Sequence, residues 1–193
     1  PARRHAALTT ACMLAVLAAL APPTLRAQAP PTAQAAPRVR AVRVADDLRL
    51  DGRLDDPVWQ QAEPVRQFVQ VEPDAGRPAQ LATEVRVVFD QRHLYIGWRV
   101  EEPLGEDGLR VQDLRRKFDY FTNDLVGLSL DPLGDGRNAY GFQVTPYGSL
   151  RDLHVLDGVF FNRQWQADWQ ARTAIASDHW TAEVAIPWTA LRY

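Results

Sequence analysis

The 193-residue chain is predicted to be all-β, an antiparallel β-sandwich of the jelly-roll kind that is incomplete at its C-terminal end. Two observations carry that prediction. Apolar residues recur at every second position through five separate segments, which is the period of a strand with one buried face. Clusters of Asp, Gly and Pro separate those segments, and only two short stretches have helical spacing.

The first 27 residues have the composition of a secretory signal. Arg3, Arg4 and His5 make a basic start, residues 6–21 are an apolar run, and Pro22-Pro23 precedes a cleavage point after Ala27. An Ala-rich run of about 16 residues is short against the ~20 that a membrane span requires. Residues 28–37 are rich in Ala, Pro and Gln without periodicity and are expected to form an extended tether. Residues 38–193 are then the domain, exported to the periplasm, the outer membrane or the medium.

The domain opens with its most distinctive stretch, residues 50–62, reading Leu-Asp-Gly-Arg-Leu-Asp-Asp-Pro-Val-Trp-Gln-Gln-Ala. Asp51-Gly52 is a turn dipeptide, because Gly takes positive φ cheaply and Asp can bond its own backbone. Asp55 or Asp56 suits a helix N-cap, and Pro57 suits the first helical position. One helical turn would press the Trp59 indole inward as a plug in the end of a sheet.

The strands follow. Val85, Val87 and Phe89 alternate with Glu84, Arg86 and Val88. After the turn at 90–93, Leu94, Ile96, Trp98 and Val100 alternate with Tyr95, Gly97, Arg99 and Glu101. That is a hairpin with one buried face. Residues 108–117 are the second helical candidate. Three further inward sets are Val126, Leu128 and Leu130, then Tyr140, Phe142 and Val144, and last Trp180, Ala182, Val184 and Ile186.

Charge and composition narrow the function. The 22 basic and 24 acidic residues give a net −2, and removal of residues 1–27 takes away Arg3, Arg4 and Arg26, leaving 19 against 24, or −5. That balance offers no electrostatic case for nucleic acid. The single cysteine, Cys12, lies in the leader, so the domain has no disulfide and no thiolate metal site. His93, His154 and His179 fall outside any zinc spacing. Most acidic residues sit in turns, and Ser129, Ser149 and Ser177 lack the glycines of a nucleophile elbow, so no enzymatic activity is expected. The loop 131–138 offers Asp131, Asp135 and Asn138, which could suit calcium, yet it lacks the alternate spacing of an EF-hand and suits a plain turn better. Arg110, Arg115, Arg116 and Lys117 concentrate positive charge that could hold a uronic acid or phosphate, although Asp113 and Asp119 beside them favour a solvated loop.

Three stretches in order resemble family 9 carbohydrate-binding modules: residues 51–59, residues 85–100 and the segment Asn-Asp-Leu-Val-Gly-Leu-Ser-Leu-Asp-Pro at 123–132. Residues 139–148 and 185–192 are similar to the variant that precedes an outer-membrane β-barrel in large bacterial proteins. The resemblance runs from about Val42 to the end. It implies a module that stacks the apolar face of a sugar on aromatic rings while amides, carboxylates and Arg take the hydroxyls. The family's first clamping Trp falls on Phe121, its following carboxylate on Gly127 and its Arg on Gln143, so the clamp is altered. Gly127 and Gln143 would both point away from the core and line one surface. The second Trp of the clamp is expected beyond Tyr193, in the continuation of a longer protein. The ligand-surface candidates are Phe121, Asp124, Gln143 and Trp165. Asp124 equally suits a cap on the turn entering its strand, and for Trp165, with Trp169, the core is the more usual place.

The expected function is a non-catalytic carbohydrate-binding module linked to the breakdown of xylan- or cellulose-type polysaccharide. Its partners would be a polysaccharide or oligosaccharide and a C-terminal continuation, in one form an outer-membrane barrel. No cofactor is expected apart from the structural calcium that the family can carry. The alternative is the same sandwich as a structural periplasmic domain whose sugar site is lost, which positions 127 and 143 favour.

Overall fold

A computed structural model describes residues 38–45 and 48–191. The leader and tether readings of residues 1–37 therefore lie outside the described residues. Among the described residues there are nine strands in two sheets and no α-helix. The first sheet has the spatial order β1 (Val42–Arg43), β2 (Thr83–Phe89), β3 (His93–Glu101), β9 (His179–Pro187), β8 (Gln170–Ile175). The second runs β4 (Val126–Leu130), β5 (Ala139–Val144), β6 (Leu150–Leu156), β7 (Phe160–Asn162). Every pairing is antiparallel except β1 with β2. The predicted sandwich is observed.

Its core follows the predicted period of two. Ile96, Trp98, Trp180, Ala182, Val184 and Ile186 of the first sheet meet Val126, Tyr140, Phe142 and Val144 of the second. Each large apolar side chain buried there contributes about 1.5–3 kcal/mol of transfer free energy.

The hairpin of β2 and β3 does not have a single buried face. Residues 48–62 lie across the outside of the first sheet and build a second cluster from Trp59, Ala62, Val88, Tyr95 and Ala185. Trp59 is fully buried, but over the middle of that sheet rather than in its end. Gly97 of β3 makes the room, since a Cβ there would stand 3.1 Å from the indole and 2.7 Å from Leu54 Cδ2. The indole Nε1 donates to Glu183 Oε1 at 2.8 Å, and Glu183 Oε2 accepts from the backbone N–H groups of Asp51 and Gly52, both at 2.8 Å. Gly52 has φ +92° and Arg53 N donates to Asp51 Oδ1, as the turn chemistry predicts.

Both helical expectations need correction. Trp59–Gln61 is a 3₁₀ turn without a side-chain cap, so neither Asp55 nor Asp56 caps it. Its C-terminal carbonyls are closed from the sheet instead, by Arg86 Nη1 donating to Trp59 O and Ala62 O at 2.9 and 2.8 Å. Residues 109–117 are irregular, preceded by a 3₁₀ turn at Gly105–Gly108. The buried Asn123 explains why: its Oδ1 accepts from the N–H groups of Gln112 and Asp113 at 2.7 and 3.0 Å, donors a helix would need for itself.

Candidate functional site

The outer face of the second sheet is the surface that the sequence places beside Gly127 and Gln143. Those two residues are directly paired across β4 and β5, and Gln143 is paired with Arg151 of β6. With the core taking Val126, Phe142 and Val144, alternation turns Gly127, Gly141, Gln143 and Arg151 outward. Gly127 leaves the floor flat: a Cβ there would stand 2.7 Å from Gln143 Cγ and 2.9 Å from Phe142 O. Gln143 Oε1 accepts from Arg151 Nη1 at 2.8 Å. The Arg151 guanidinium in turn lies 5.6 Å from the centre of the Tyr120 ring.

Tyr120 packs edge-on against Phe121, with ring centres 5.2 Å apart, and Phe121 is 83 % exposed. An exposed Phe ring is costly to solvate, and a loop anchored by side-chain hydrogen bonds holds this one out. Lys117 takes φ +66° and its Nζ donates to Asp152 Oδ1, to Asp152 O and to Trp165 O. Arg116 Nη2 donates to Asp152 Oδ2 at 3.0 Å, and the Ala167 N–H donates to the same oxygen at 2.7 Å. Asp152 itself is wholly buried. Burial alone would raise its carboxyl, but Lys117, the Ala167 N–H and Arg116 outweigh that and hold it below the usual carboxylate range.

Each predicted site residue can now be placed. Phe121 and Gln143 share the outer face through the chain Phe121–Tyr120–Arg151–Gln143. Asp124 ties the entry of β4 to the loop before it: its Oδ2 accepts from Arg110 N at 2.7 Å and its own N–H donates to Arg110 O at 2.7 Å. Trp165 belongs elsewhere, because its ring packs on the core-facing Tyr140 and Phe142 with centres 4.9 and 5.9 Å apart. Indoles enter a sandwich core when room exists, and Trp169 beside it does so fully. Tyr120 and Arg151 were missed. Their only sequence signals were the aromatic pair Tyr120-Phe121 and the position of Arg151 opposite Gln143, which needs the register of β6.

Three of the four cations of the basic segment are engaged by carboxylates of the chain itself. Arg116 and Lys117 are committed to Asp152, and Arg115 pairs with Asp113 at 2.9 Å. The loop at 131–138 behaves as a turn, since Asp131 accepts from the N–H groups of Leu133, Gly134 and Gly136, and Asp135 from those of Arg137 and Asn138. Among the described residues no group of three His, Cys, Asp or Glu side chains converges as a metal holder. The wholly buried carboxylates, Asp152 and Glu183, lie on different sheets and are both engaged by protein donors, so they cannot serve as a facing glycosidase pair. A separate groove of about 650 Å³, lined by Arg49, His93, Tyr95, Trp165, Asp168 and Arg172 among others, does not include Phe121 or Gln143.

Comparison with known proteins agrees with this architecture. No curated protein sequence matches the chain. A structure from Bacteroides uniformis, provisionally described as a carbohydrate-binding protein, is similar at 13 % identity over 78 % of this chain and 72 % of that one, with a TM-score of 0.57. A family 9 carbohydrate-binding module from Caldicellulosiruptor kristjanssonii is similar in its complex with cellotriose, at 15 % identity over 77 % and 67 % with a TM-score of 0.53. It is also similar in its complex with glucose, at 15 % identity over 77 % and 69 % with a TM-score of 0.51. These structures share the fold. Residues 50–193 match the family model described as "Carbohydrate family 9 binding domain-like", and the chain belongs to that family.

Proposed function

We propose that the chain is a non-catalytic carbohydrate-binding module whose ligand lies on the outer face of the second sheet. One observation carries the reading beyond family membership: an exposed Phe121 ring, held by a pinned loop, beside the polar pair Gln143 and Arg151 on a floor kept flat by Gly127. A pyranose would stack its C–H face on Phe121 while the amide and guanidinium take its hydroxyls. Trp165 and Asp124 are left out of the contact set, because the Trp165 ring packs against Tyr140 and Phe142 at the edge of the other groove and Asp124 holds the backbone of Arg110.

The composition of residues 1–27 supports export, and the family supports service to a larger protein that breaks down cellulose- or xylan-type polysaccharide. The resemblance at 139–148 and 185–192 supports the form that precedes an outer-membrane barrel. A second reading, a structural domain whose sugar site is lost, is favoured by Gly127 and Gln143 standing where the family resemblance puts a carboxylate and an Arg. Calorimetric titration with glucose, cellotriose and xylotriose separates the two. Saturable binding that Phe121→Ala weakens about tenfold or more supports the module, whereas flat heats from a folded protein would leave only the structural role.

A further inference from the structure

The outer face carries more positive charge than the hydroxyls of a neutral sugar need. Arg151 is partly buried, yet it forms no ion pair among the described residues: its partners are the Gln143 amide and the Tyr120 ring. Arg163 immediately follows β7 and is exposed, and it forms no ion pair among the described residues. In the β6–β7 ladder Phe161 pairs with Val155 on the outward row and Asn162 with His154 on the core row. Arg163 is the first residue of the turn that leaves β7, where Asn162 Oδ1 accepts from the N–H groups of Gln164 and Trp165, and it follows directly on the row that pairs Asn162 with His154, three residues from Arg151 along β6. Burial lowers the Arg151 pKa, and the positive charge of Arg163 lowers it further, which places the two cations within electrostatic reach of each other. Asp119, whose charge also reaches Arg151, already accepts the Phe121 N–H at 2.8 Å.

Two neighbouring guanidinium groups, one of them partly desolvated, form an arrangement that an anion relieves. A carboxylate suits it best, because guanidinium and carboxylate are both planar and can pair through two parallel hydrogen bonds. We propose that this face selects acidic sugars, with Arg151 and Arg163 binding the carboxylate of a uronic acid unit while its ring stacks beside Phe121. The inference rests on the sugar-binding reading above and adds the ligand class. The positive charge expected of residues 110–117 thus falls on a different pair, brought together by the β6–β7 hairpin.

The test is calorimetric titration of the full chain with glucose against glucuronic acid, and with xylotriose against xylotriose bearing one glucuronic acid branch. The acidic member of each pair should bind about tenfold tighter or more at low salt, and ~0.5 M NaCl should erase most of that advantage. Arg163→Gln, which alters an exposed side chain outside the Gln143–Arg151–Tyr120 contacts, should reduce the ratio of acidic to neutral affinity several-fold. Arg151→Lys, which keeps the charge and loses the planar fork, should reduce it as well. Equal affinities within each pair, with neutral binding intact, would overturn the acidic preference and leave the module standing. An absence of heat with every sugar from a folded chain would overturn both.

Discussion

Replacement of Asp152 by Asn keeps the shape of the side chain and removes its charge, so the loss measured is electrostatic rather than a cavity. Asp152 is fully buried and receives Arg116 Nη2 at 3.0 Å, the Ala167 N–H at 2.7 Å and the Lys117 ammonium. An amide nitrogen in place of one carboxylate oxygen would face those donors with another donor. Breaking a buried pair by removing one partner costs about 3–5 kcal/mol. Lys117 and Arg116 keep 28 % and 34 % of their side-chain surface in contact with water and can hydrate, so the cost should fall at the lower end, about 3 kcal/mol. For a domain of this size that is a fall of roughly 6–12 °C in Tm, measured by circular dichroism. The pH dependence is a second reading of the same interaction. A carboxyl held below its ordinary range contributes stability above its unfolded pKa and loses it as pH falls through the folded value. The gap between wild type and variant should therefore be full at neutral pH and narrow below about pH 4. A loss under 1 kcal/mol at pH 7, or a gap that does not change with acid, would refute the pin.

Two further perturbations address the first sheet. Gly97→Ala places a Cβ 2.7 Å from Leu54 Cδ2 and 3.1 Å from the Trp59 ring, and it should cost about 1–3 kcal/mol in denaturant unfolding. An unchanged midpoint would mean that residues 48–62 are free to lift away. Burial raises the Glu183 carboxyl above its ordinary value, and three N–H donors offset only part of that effect. A raised folded pKa contributes stability at low pH that is lost as pH rises through it, so wild type should lose ground to Glu183→Gln as pH rises through and above the ordinary carboxyl range. A difference that is flat across that window would contradict the burial argument.

The sandwich was legible because its five clearest strands each place large apolar residues at strict two-residue intervals, and nothing competes with that pattern in β3, β5 or β9. The covering of the first sheet was not. Val88, Tyr95, Glu183 and Ala185 occupy positions that alternation assigns to solvent, and the packing of Trp59 over Gly97, with the hydrogen bonds to Glu183 and from Arg86, brings residues 48–62 down upon them. The short strands β1 and β7, and β6 with its buried Asp152, lack the apolar run that would announce them. The site was half legible. Phe121 and Gln143 followed from resemblance and alternation, whereas Arg151 and Tyr120 join them only through the β5–β6 register and a loop pinned by Asn123 and Lys117. Trp165 drew attention as an aromatic in a polar stretch, but its ring is turned to Tyr140 and Phe142.

The most direct test of the outer-face site is residue-resolved NMR during titration with cellotriose and a glucuronic-acid-bearing oligosaccharide. Shifts should concentrate on the backbone amides of Tyr120, Phe121, Gly127, Gly141, Gln143 and Arg151 and saturate together. Shifts centred instead on Arg49, His93, Trp165 and Arg172 would place the ligand in the other groove and contradict the account.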